Sequence, residues 1–348
     1  MTKPFIEHLA ACAALAPSAD NSQPWQMRWT GDAIELHYVS RHPSTNVFDA
    51  DSHGTLLAIG GLAENIDMTL AANGVRGQWE WSRPGKQPYG RLELPHDLPE
   101  NFTIPPGLQA RHTNRLPYRT DVLEPGLRDT VAGARQGQQR MVVLQDNAAR
   151  KALVRLVELS SQARFCNRDL HRWLFGSLRE TPQEVASGDG LDVATLGLPP
   201  GGKTMLNFMS NWKRMAKLNR FGAYKFLAKT ETGLISAAPA LLCVVGGGKE
   251  RNAIDAGRLL TRVWTQLNEH GAAVQPYYVV TDQVNRLHTG KLAPGFEDKI
   301  GAVEQELHRL LGLAQGDMLH MILRVGYPTK APARSRRLPL SQVFVSDL

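Results

Sequence analysis

Apolar residues recur at helical spacing in several stretches of the chain. Between Ile6 and Ala14 they predict an amphipathic helix, which Pro17 ends. The same periodicity predicts further helices over residues 55–72, 150–180, 205–229 and 252–270, and one after Arg111. Alternating or β-branched runs predict strands at residues 34–39, 78–82, 141–144, 239–245, 274–280 and 320–325. Pro95 to Gly107 carries four prolines and predicts a linker, and Gly188 to Gly202 predicts a mobile loop.

One helical pattern occurs twice along the chain. Gly60 and Gly257 are each followed by apolar residues at positions +2, +6 and +10, and by a second glycine at +14. The apolar positions fall on one helix face, and the last glycine suits a helix C-terminus. Two interpretations are open. The repeat is either a duplicated half-module, by which one chain builds what a homodimer builds from two copies, or a chance match of two amphipathic helices.

Composition and charge narrow the classes of function. The 348 residues carry a net charge of +7, and the basic residues look scattered apart from Lys330 to Arg337. No lysine-rich tail with interleaved aromatics is present, so nucleic acid is not an expected partner. No run of 18 apolar residues exists, so no membrane partner is expected either. The cysteines, Cys12, Cys166 and Cys243, have neither zinc nor disulfide spacing, which fits a reducing cytoplasm.

Two arginine clusters are candidates for anion binding. In an extended segment, Arg111, Thr113 and Arg115 point to one side, so two guanidiniums and a hydroxyl can converge on one phosphate. Arg336 and Arg337, with Arg334, form a second cluster that can close over the same phosphate. The alternative for both clusters is an ordinary solvated group of charges.

The stretch from Pro17 to Trp25 is the least generic part of the sequence. Ser18 and Asn21 are short side chains that can donate to the edge of a ring, and Pro24 and Trp25 fix the exit of the chain. The alternative is a helix stop followed by a turn, because serine, aspartate and asparagine also favour turns.

A competing phosphate motif lies further along the chain. Residues 197–204 read G-L-P-P-G-G-K-T, a literal match to the P-loop pattern. Pro199 and Pro200 remove two of the backbone donors that a P-loop uses, and residues 192–196 make a poor strand. Asp282 could supply the downstream acidic residue. A P-loop nucleotide binder therefore remains a less favoured alternative.

Four segments together resemble the nitroreductase superfamily. R-H-T-N-R at 111–115 is similar to its N-terminal phosphate motif, and A-P-S-A-D-N-S-Q-P-W at 16–25 to its P-S-x-x-N-x-Q-P-W motif. G-A-A-V-Q-P-Y-Y at 271–278 resembles the segment that runs past the flavin N5, and S-R-R-L-P at 335–339 the C-terminal basic motif. The phosphate motif here follows the P-S-x-x-N motif, an order that resembles the Acg-like branch with two fused halves.

The resemblance implies an α+β, nitroreductase-like fold in which a mixed sheet is flanked by helices and two pseudo-related halves share one chain. Residues 1–105 would be a degenerate half that supplies the P-S-x-x-N loop. Residues 106–348 would carry the phosphate site of flavin mononucleotide (FMN), with a possible lid at 182–229. The implied FMN-binding residues are Pro17, Ser18, Asn21, Gln23, Arg111, Thr113, Arg115, Pro276, Tyr277, Arg336 and Arg337.

The implied function is an FMN-dependent oxidoreductase in the cytoplasm, acting as a monomer or a homodimer. It would use NAD(P)H to reduce a small electron-poor acceptor, a nitroaromatic or a quinone, by two electrons, with no obligatory side-chain acid or base. Superfamily members often have Glu-Gly near N5, where this chain has Tyr277-Tyr278. The alternative is therefore a protein that binds or sequesters flavin without turnover.

Overall fold

Helices and strands are interspersed along the chain. The computed structural model describes residues 2–42, 44–83 and 85–347. The helices are α1 (Thr2–Ala13), α2 (His53–Ala72), α3 (Pro106–Ala110), α4 (Pro125–Gly133), α5 (Asn147–Phe165), α6 (Arg168–Ser177), α7 (Pro182–Ala186), α8 (Gly202–Met209), α9 (Trp212–Arg220), α10 (Ala223–Ser236), α11 (Glu250–Glu269), α12 (Val279–His288), α13 (Glu297–Leu311) and α14 (Leu340–Val343). The strands are β1 (Trp25–Trp29), β2 (Ala33–Tyr38), β3 (Gln78–Trp81), β4 (Gly90–Glu93), β5 (Arg135–Gln136), β6 (Gln139–Leu144), β7 (Leu178–Arg179), β8 (Leu191–Asp192), β9 (Ala240–Gly247), β10 (Ala273–Tyr277), β11 (Asp317–Gly326) and β12 (Phe344–Ser346).

Two five-stranded sheets organise the described residues. The first has the order β12-β1-β2-β4-β3, with β12 parallel to β1 and the other neighbours antiparallel. The second has the order β10-β11-β9-β6-β5 and is antiparallel throughout. The predicted α+β class with a mixed sheet flanked by helices is confirmed, although the strands divide between two sheets.

The second sheet is covered by helices on both faces. Along β9, Leu241, Cys243 and Val245 pack toward α5, α12 and α13, while Leu242 and Val244 pack toward α11. Every residue of β9 is buried, which explains why this strand reads as an unbroken apolar run in the sequence. The first sheet packs against α1 and α2.

The two helices of the sequence repeat, α2 and α11, cross at their equivalent glycines. A Cβ at Gly60 would lie 2.0 Å from the carbonyl oxygen of Ile254, and one at Gly257 would lie 2.0 Å from that of Leu57. The two backbones can approach this closely only because both positions lack a side chain. Both helices also end as predicted, because Gly74 (φ 69°) and Gly271 (φ 73°) take the left-handed conformation just beyond them.

The division of the chain at residue 105 into two halves remains a prediction. The first sheet draws β1 to β4 from the N-terminal part of the chain, but β12 comes from residues 344–346. The two parts are therefore interleaved, since residues well beyond the proposed boundary complete the first sheet.

Several predicted elements differ from the observed ones. The helix predicted over 150–180 is divided at Asn167, whose side-chain oxygen accepts from the backbone of Asp169 and starts α6. The helix predicted over 205–229 is three helices, α8 to α10, and the strand predicted over 274–280 ends at Tyr277 because Val279 begins α12. The helix expected after Arg111 starts only at Pro125. None of the helices in the described part of the chain is long and apolar enough to cross a membrane.

Candidate functional site

A cavity of about 780 Å³ lies beside the crossing of α2 and α11. This volume is within the usual range of roughly 300–1,000 Å³ for small-molecule sites. Its wall includes the loop after α1, the beginning of α2, the end of α5, part of α6, and residues from the segments 108–115, 191–196, 275–282 and 333–337. Of the residues predicted from the sequence, nine line it: Pro17, Ser18, Asn21, Arg111, Thr113, Arg115, Pro276, Tyr277 and Arg337.

Two arginines, the buried Arg111 and the half-buried Arg337, meet at one end of this cavity. Arg111 and Arg337 both donate to the carbonyl oxygen of Leu15. Arg337 also donates to Asn21 Oδ1 at 2.7 Å, and no protein atom accepts from the Nε of either guanidinium. Neither arginine forms an ion pair with a carboxylate among the described residues. Because buried charges in proteins are normally paired, this end of the cavity is suited to an anion.

The lowered pKa values of these arginines also favour a bound anion. Burial, together with the positive charges of Arg337 and Arg334, lowers the pKa of Arg111 to about 9. Burial alone lowers the pKa of Arg337 to about 10. A bound anion would relieve both the lost hydration and the mutual repulsion. Arg334 also lines the cavity, and it is held by hydrogen bonds to the carbonyls of Gln109 and Ala110.

The segment from Arg111 to Arg115 is extended, as its spacing predicts. Thr113 forms a parallel bridge with Val274, and the backbone N–H of Asn114 donates to the carbonyl of Val274 at 2.9 Å. The segment therefore lies along the edge of the second sheet, with Arg111, Thr113 and Arg115 all lining the cavity. Burial lowers the pKa of Arg115, and nearby Asp20 opposes that change.

The loop after α1 is held in an unusual backbone conformation. Asp20 (φ 46°), Asn21 (φ 57°) and Gln23 (φ 49°) are all in the left-handed region, which non-glycine residues seldom adopt. Asn21 Nδ2 donates to the carbonyls of Gly188, Gly190 and Arg336. The expectation that Asn21 donates to a ring edge is therefore corrected, because its amide is used to join three segments of the chain.

Two predicted site residues lie outside the cavity. Gln23 is fully buried, donates to the carbonyls of Asn21 and Gly188, and accepts from the backbone N–H of Leu338 at 3.0 Å. Arg336 is exposed, and only its carbonyl takes part in the local network. Arg337, the next residue, faces inward because successive residues of an extended segment point to opposite sides. Both residues therefore shape the site without reaching the cavity.

Apolar and aromatic groups form a further part of the cavity wall. Leu57 and Ala58 come from α2, and Leu260 and Trp264 from α11, so the helix crossing itself supplies this surface. Trp264 is buried among the apolar side chains between α11 and the second sheet. It also donates to the carbonyl of His112 at 3.0 Å and lies 5.0 Å from the Arg111 guanidinium, so it fixes the arginine cluster.

A chain of aromatic groups beside the cavity was missed by the sequence analysis. The hydroxyl of Tyr278 lies 3.0 Å from His53 Nδ1, and His53 Nε2 lies 2.8 Å from Nδ1 of His320. Burial lowers the pKa of His53 well below its usual value and that of His320 to about 4, so both rings are neutral near pH 7. Tyr278 faces the cavity, while His320 is fully buried. No local motif connects three residues this far apart in sequence.

The P-loop alternative is not supported by the local geometry. Residues 197–204 follow the two-residue strand β8, which pairs only with β7 in a small separate sheet. Lys203 is exposed and lies 3.4 Å from Glu180, away from the backbone loop that it would complete. Asp282 is in α12 and paired with Arg286 at 2.9 Å, so it does not end a strand.

The three cysteines are free.

Comparison with known proteins gives only distant similarities. No model of a known protein family matches the chain. The chain is 25% identical over 280 residues to an uncharacterized protein of Mycobacterium tuberculosis. The aligned region covers 79% of this chain and 39% of that protein. The chain thus spans well under half of that relative's length.

Among solved structures, a nitroreductase with bound FMN from Bacteroides fragilis has 13% identity and a TM-score of 0.39, covering 69% of this chain and 96% of that one. The FMN-dependent nitroreductase NfnB from Mycobacterium smegmatis, solved in complex with NADPH, has 15% identity and a TM-score of 0.40, covering 68% and 94%. Similarities at this level do not show a family and do not assign a role to any residue.

Proposed function

We propose that the protein is an FMN-dependent oxidoreductase of the nitroreductase type. The observation that carries this proposal is a pair of arginines without a carboxylate partner, the buried Arg111 and the half-buried Arg337, at one end of a cavity whose wall also has apolar side chains. A flavin mononucleotide has this division of chemistry, with a dianionic phosphate at one end and a flat aromatic ring system at the other. The motifs at 16–25 and 111–115, which resemble the superfamily's phosphate and P-S-x-x-N segments, border the same cavity.

The residues present fit the cofactor at both ends. Arg111 and Arg337 have unused Nε donors for the phosphate, and the Thr113 hydroxyl is on the same side of the chain. Leu57, Leu260 and Tyr277 offer apolar surface to the ring. When bound, FMN would supply two-electron transfer from NAD(P)H to a small electron-poor acceptor such as a nitroaromatic or a quinone. The protein's part is to bind, orient and shield the ring, with no side chain required as acid or base.

The proposal also covers how the chain is divided into two halves. We infer that residues 1–105 and 106–348 derive from two fused nitroreductase halves, as in the Acg-like branch, with one flavin site between them. The glycine-to-glycine crossing of α2 and α11 supports this, because equivalent positions of the repeat meet each other. Residues 182–229 are proposed as a lid, supported by Leu191, Thr195 and Leu196 in the cavity wall. A cytoplasmic monomer or homodimer is part of the proposal.

A second candidate is a protein that holds flavin without turnover. The observation that favours it is Tyr277, which is 6% exposed and faces the cavity beside Pro276, so a bulky side chain stands where the resemblance would place the flavin N5. The two candidates share the binding site and differ only in whether NAD(P)H reduces the flavin.

The first experiment is the visible absorption spectrum of the purified protein, with FMN added if the protein is colourless. Arg337→Ala and Arg336→Ala form a matched pair, since the first residue faces the cavity and the second is exposed. Loss of one charge-assisted hydrogen-bonding partner corresponds to about 1.5–3 kcal/mol, or roughly 10- to 150-fold in the FMN dissociation constant. We expect that loss for Arg337→Ala and Arg111→Ala, and none for Arg336→Ala.

Equal FMN affinity for all three variants would remove the arginine cluster as the phosphate site. Failure of the parent protein to bind FMN would refute the whole proposal. Anaerobic addition of NADPH to the FMN-loaded protein then separates the two candidates. Bleaching of the flavin spectrum, followed by recovery with a quinone or a nitroaromatic, shows an oxidoreductase. A spectrum that does not change with NADPH or NADH favours the protein that only holds flavin.

A further inference from the structure

The positive charge of the chain is concentrated in one segment. Residues 193–230 contain no aspartate or glutamate and carry seven basic residues: Lys203, Lys213, Arg214, Lys217, Arg220, Lys225 and Lys229. This equals the net charge of +7 for the whole sequence, so acidic and basic residues balance everywhere else. The sequence-based description of the basic residues as scattered is therefore corrected. All seven side chains are exposed.

The same segment exposes large apolar side chains. Of those in the described part of the chain that are exposed, five lie here: Leu198, Met205, Phe208, Phe221 and Phe226. Phe221 is 92% exposed and Phe226 is 73% exposed. Single apolar residues on a surface are ordinary, but five within 29 residues form a concentration that usually marks a binding surface.

The charged and apolar side chains belong to one surface. Phe221 and Gly222 (φ 86°) form the corner between α9 and α10, so Arg220 and Lys225 flank an apolar tip. The Arg214 guanidinium lies 5.4 Å from the Phe208 ring, which joins α8 to α9. We call the exposed side chains of α8 to α10 the basic apolar surface.

Little within the protein neutralises this surface. Lys203 lies 3.4 Å from Glu180, and Lys229 lies 3.7 Å from Glu158. Among the described residues, the other five basic side chains have no carboxylate within ion-pair distance. Lys213, Lys217 and Arg220 are spaced at i, i+4 and i+7, so they form a line of positive charge along one side of α9.

We propose that the basic apolar surface binds the surface of an anionic lipid bilayer, with Phe221 and Phe226 inserted among the acyl chains. Helices that lie in a membrane interface combine a basic polar face with exposed phenylalanine or leucine, and each basic residue adds attraction to anionic headgroups. Nucleic acid would also attract the charges, but it would not bury Leu198 and Met205, which have no ring to stack on a base. The proposal departs from the expectation of no membrane partner, which rested only on the lack of an apolar run long enough to span a bilayer. Binding at the bilayer surface requires no such helix, so it is compatible with the helices of the described residues.

The proposal does not depend on the proposed flavin chemistry. α10 nevertheless connects the two sites, because Glu231 lines the cavity while Phe226, five residues earlier, is exposed in the basic apolar surface. Binding to a bilayer would therefore bring the cavity wall close to acceptors dissolved in lipid.

The test is flotation of the full-length protein with vesicles of neutral phosphatidylcholine, and with vesicles of phosphatidylcholine mixed with anionic phosphatidylglycerol, whose negative surface attracts polybasic segments. We expect binding to the anionic vesicles only, with affinity that falls as salt rises. Phe221→Ser/Phe226→Ser and Lys213→Gln/Lys217→Gln/Arg220→Gln should each weaken binding at least about tenfold, since each removes several interfacial contributions.

Matched controls are available elsewhere on the chain. Ile104→Ser/Val122→Ser removes two exposed apolar side chains, and Lys86→Gln/Lys151→Gln/Arg155→Gln removes three exposed charges. Both controls should bind vesicles like the parent, and circular dichroism checks that every variant is folded. No binding to anionic vesicles, or equal loss in the surface variants and their controls, overturns the proposal. A concentration-dependent dimer that Phe221→Ser/Phe226→Ser abolishes, without lipid binding by the parent, would instead assign this surface to a second copy.

Discussion

Replacement of Gly257 by alanine tests the helix crossing on which the cavity rests. The added Cβ would lie 2.0 Å from Leu57 O and 2.8 Å from the carbonyl carbon of the same residue. Both are backbone atoms, so no side chain can rotate away and α2 and α11 must separate. Overpacking of this kind costs about 1–3 kcal/mol or more, and the better helix propensity of alanine recovers up to about 1 kcal/mol. We therefore expect a net loss of about 2 kcal/mol in the free energy of unfolding.

The matched control is Gly301→Ala, because Gly301 is inside α13 and a Cβ there meets no atom within 4 Å. That variant should be stabilised by about 0.5–1 kcal/mol through helix propensity alone. Urea unfolding, followed by far-ultraviolet circular dichroism, measures both effects. Because Leu57 and Leu260 line the cavity, Gly257→Ala should also weaken FMN binding. If Gly257→Ala matches Gly301→Ala in stability, α2 and α11 do not cross as closely as their glycines indicate.

Asn21→Ala should lower the free energy of unfolding by about 2–4 kcal/mol, because three carbonyls and the Arg337 guanidinium lose their partner. Asn21→Gly, measured in the same urea assay, separates the lost hydrogen bonds from backbone strain. Glycine also lacks the hydrogen bonds, but it adopts the left-handed conformation without strain. Recovery to parental stability in this variant would therefore show that the hydrogen bonds contribute little. The third prediction concerns acid. The pKa of His320 is about 4 in the folded protein and about 6.5 in the unfolded chain, so the unfolded chain binds more protons below pH 6.5. Stability should therefore fall as pH drops from about 6.5 toward 4, by up to ~3 kcal/mol for this residue. His320→Gln should flatten that profile and exposed His96→Gln should not; identical profiles for both variants would exclude His320 as the cause.

The parts of the fold that follow from sequence are those in which local pattern and tertiary packing agree. The helices predicted at 55–72 and 252–270 are observed at His53–Ala72 and Glu250–Glu269, since their apolar faces are buried and their glycines end them. Val279 and Val280 favour strands locally, yet they begin α12, because packing against α5 and the second sheet overrides that preference. The division at Asn167 was visible in principle as an N-cap sequence.

Some features of the candidate site also follow from the sequence, whereas others depend on the tertiary structure. The position of Arg111, Thr113 and Arg115 on the wall of one cavity follows from the two-residue period of an extended segment. The same period separates Arg337 from Arg336, but the sequence alone does not tell which of the two faces inward. The internal use of Asn21, and the contact of His53 with His320, depend on chain segments more than 160 positions apart. The role of Arg111, Thr113, Arg115 and Arg337 as FMN ligands stays a prediction until flavin binding is measured.

The pairing of β12 with β1 has a consequence for the biosynthesis of the protein. Arg28 and Asp347, which form an ion pair beside these strands, are 319 positions apart. A ribosome therefore exposes β1 long before its partner strand exists, and one edge of the first sheet stays open for most of translation. Arg337 lies on the segment that leads to β12, so the arginine cluster is assembled at the same late step. Contacts this distant in sequence form slowly, and the nascent chain has an unpaired edge that a chaperone or a neighbouring nascent chain can reach.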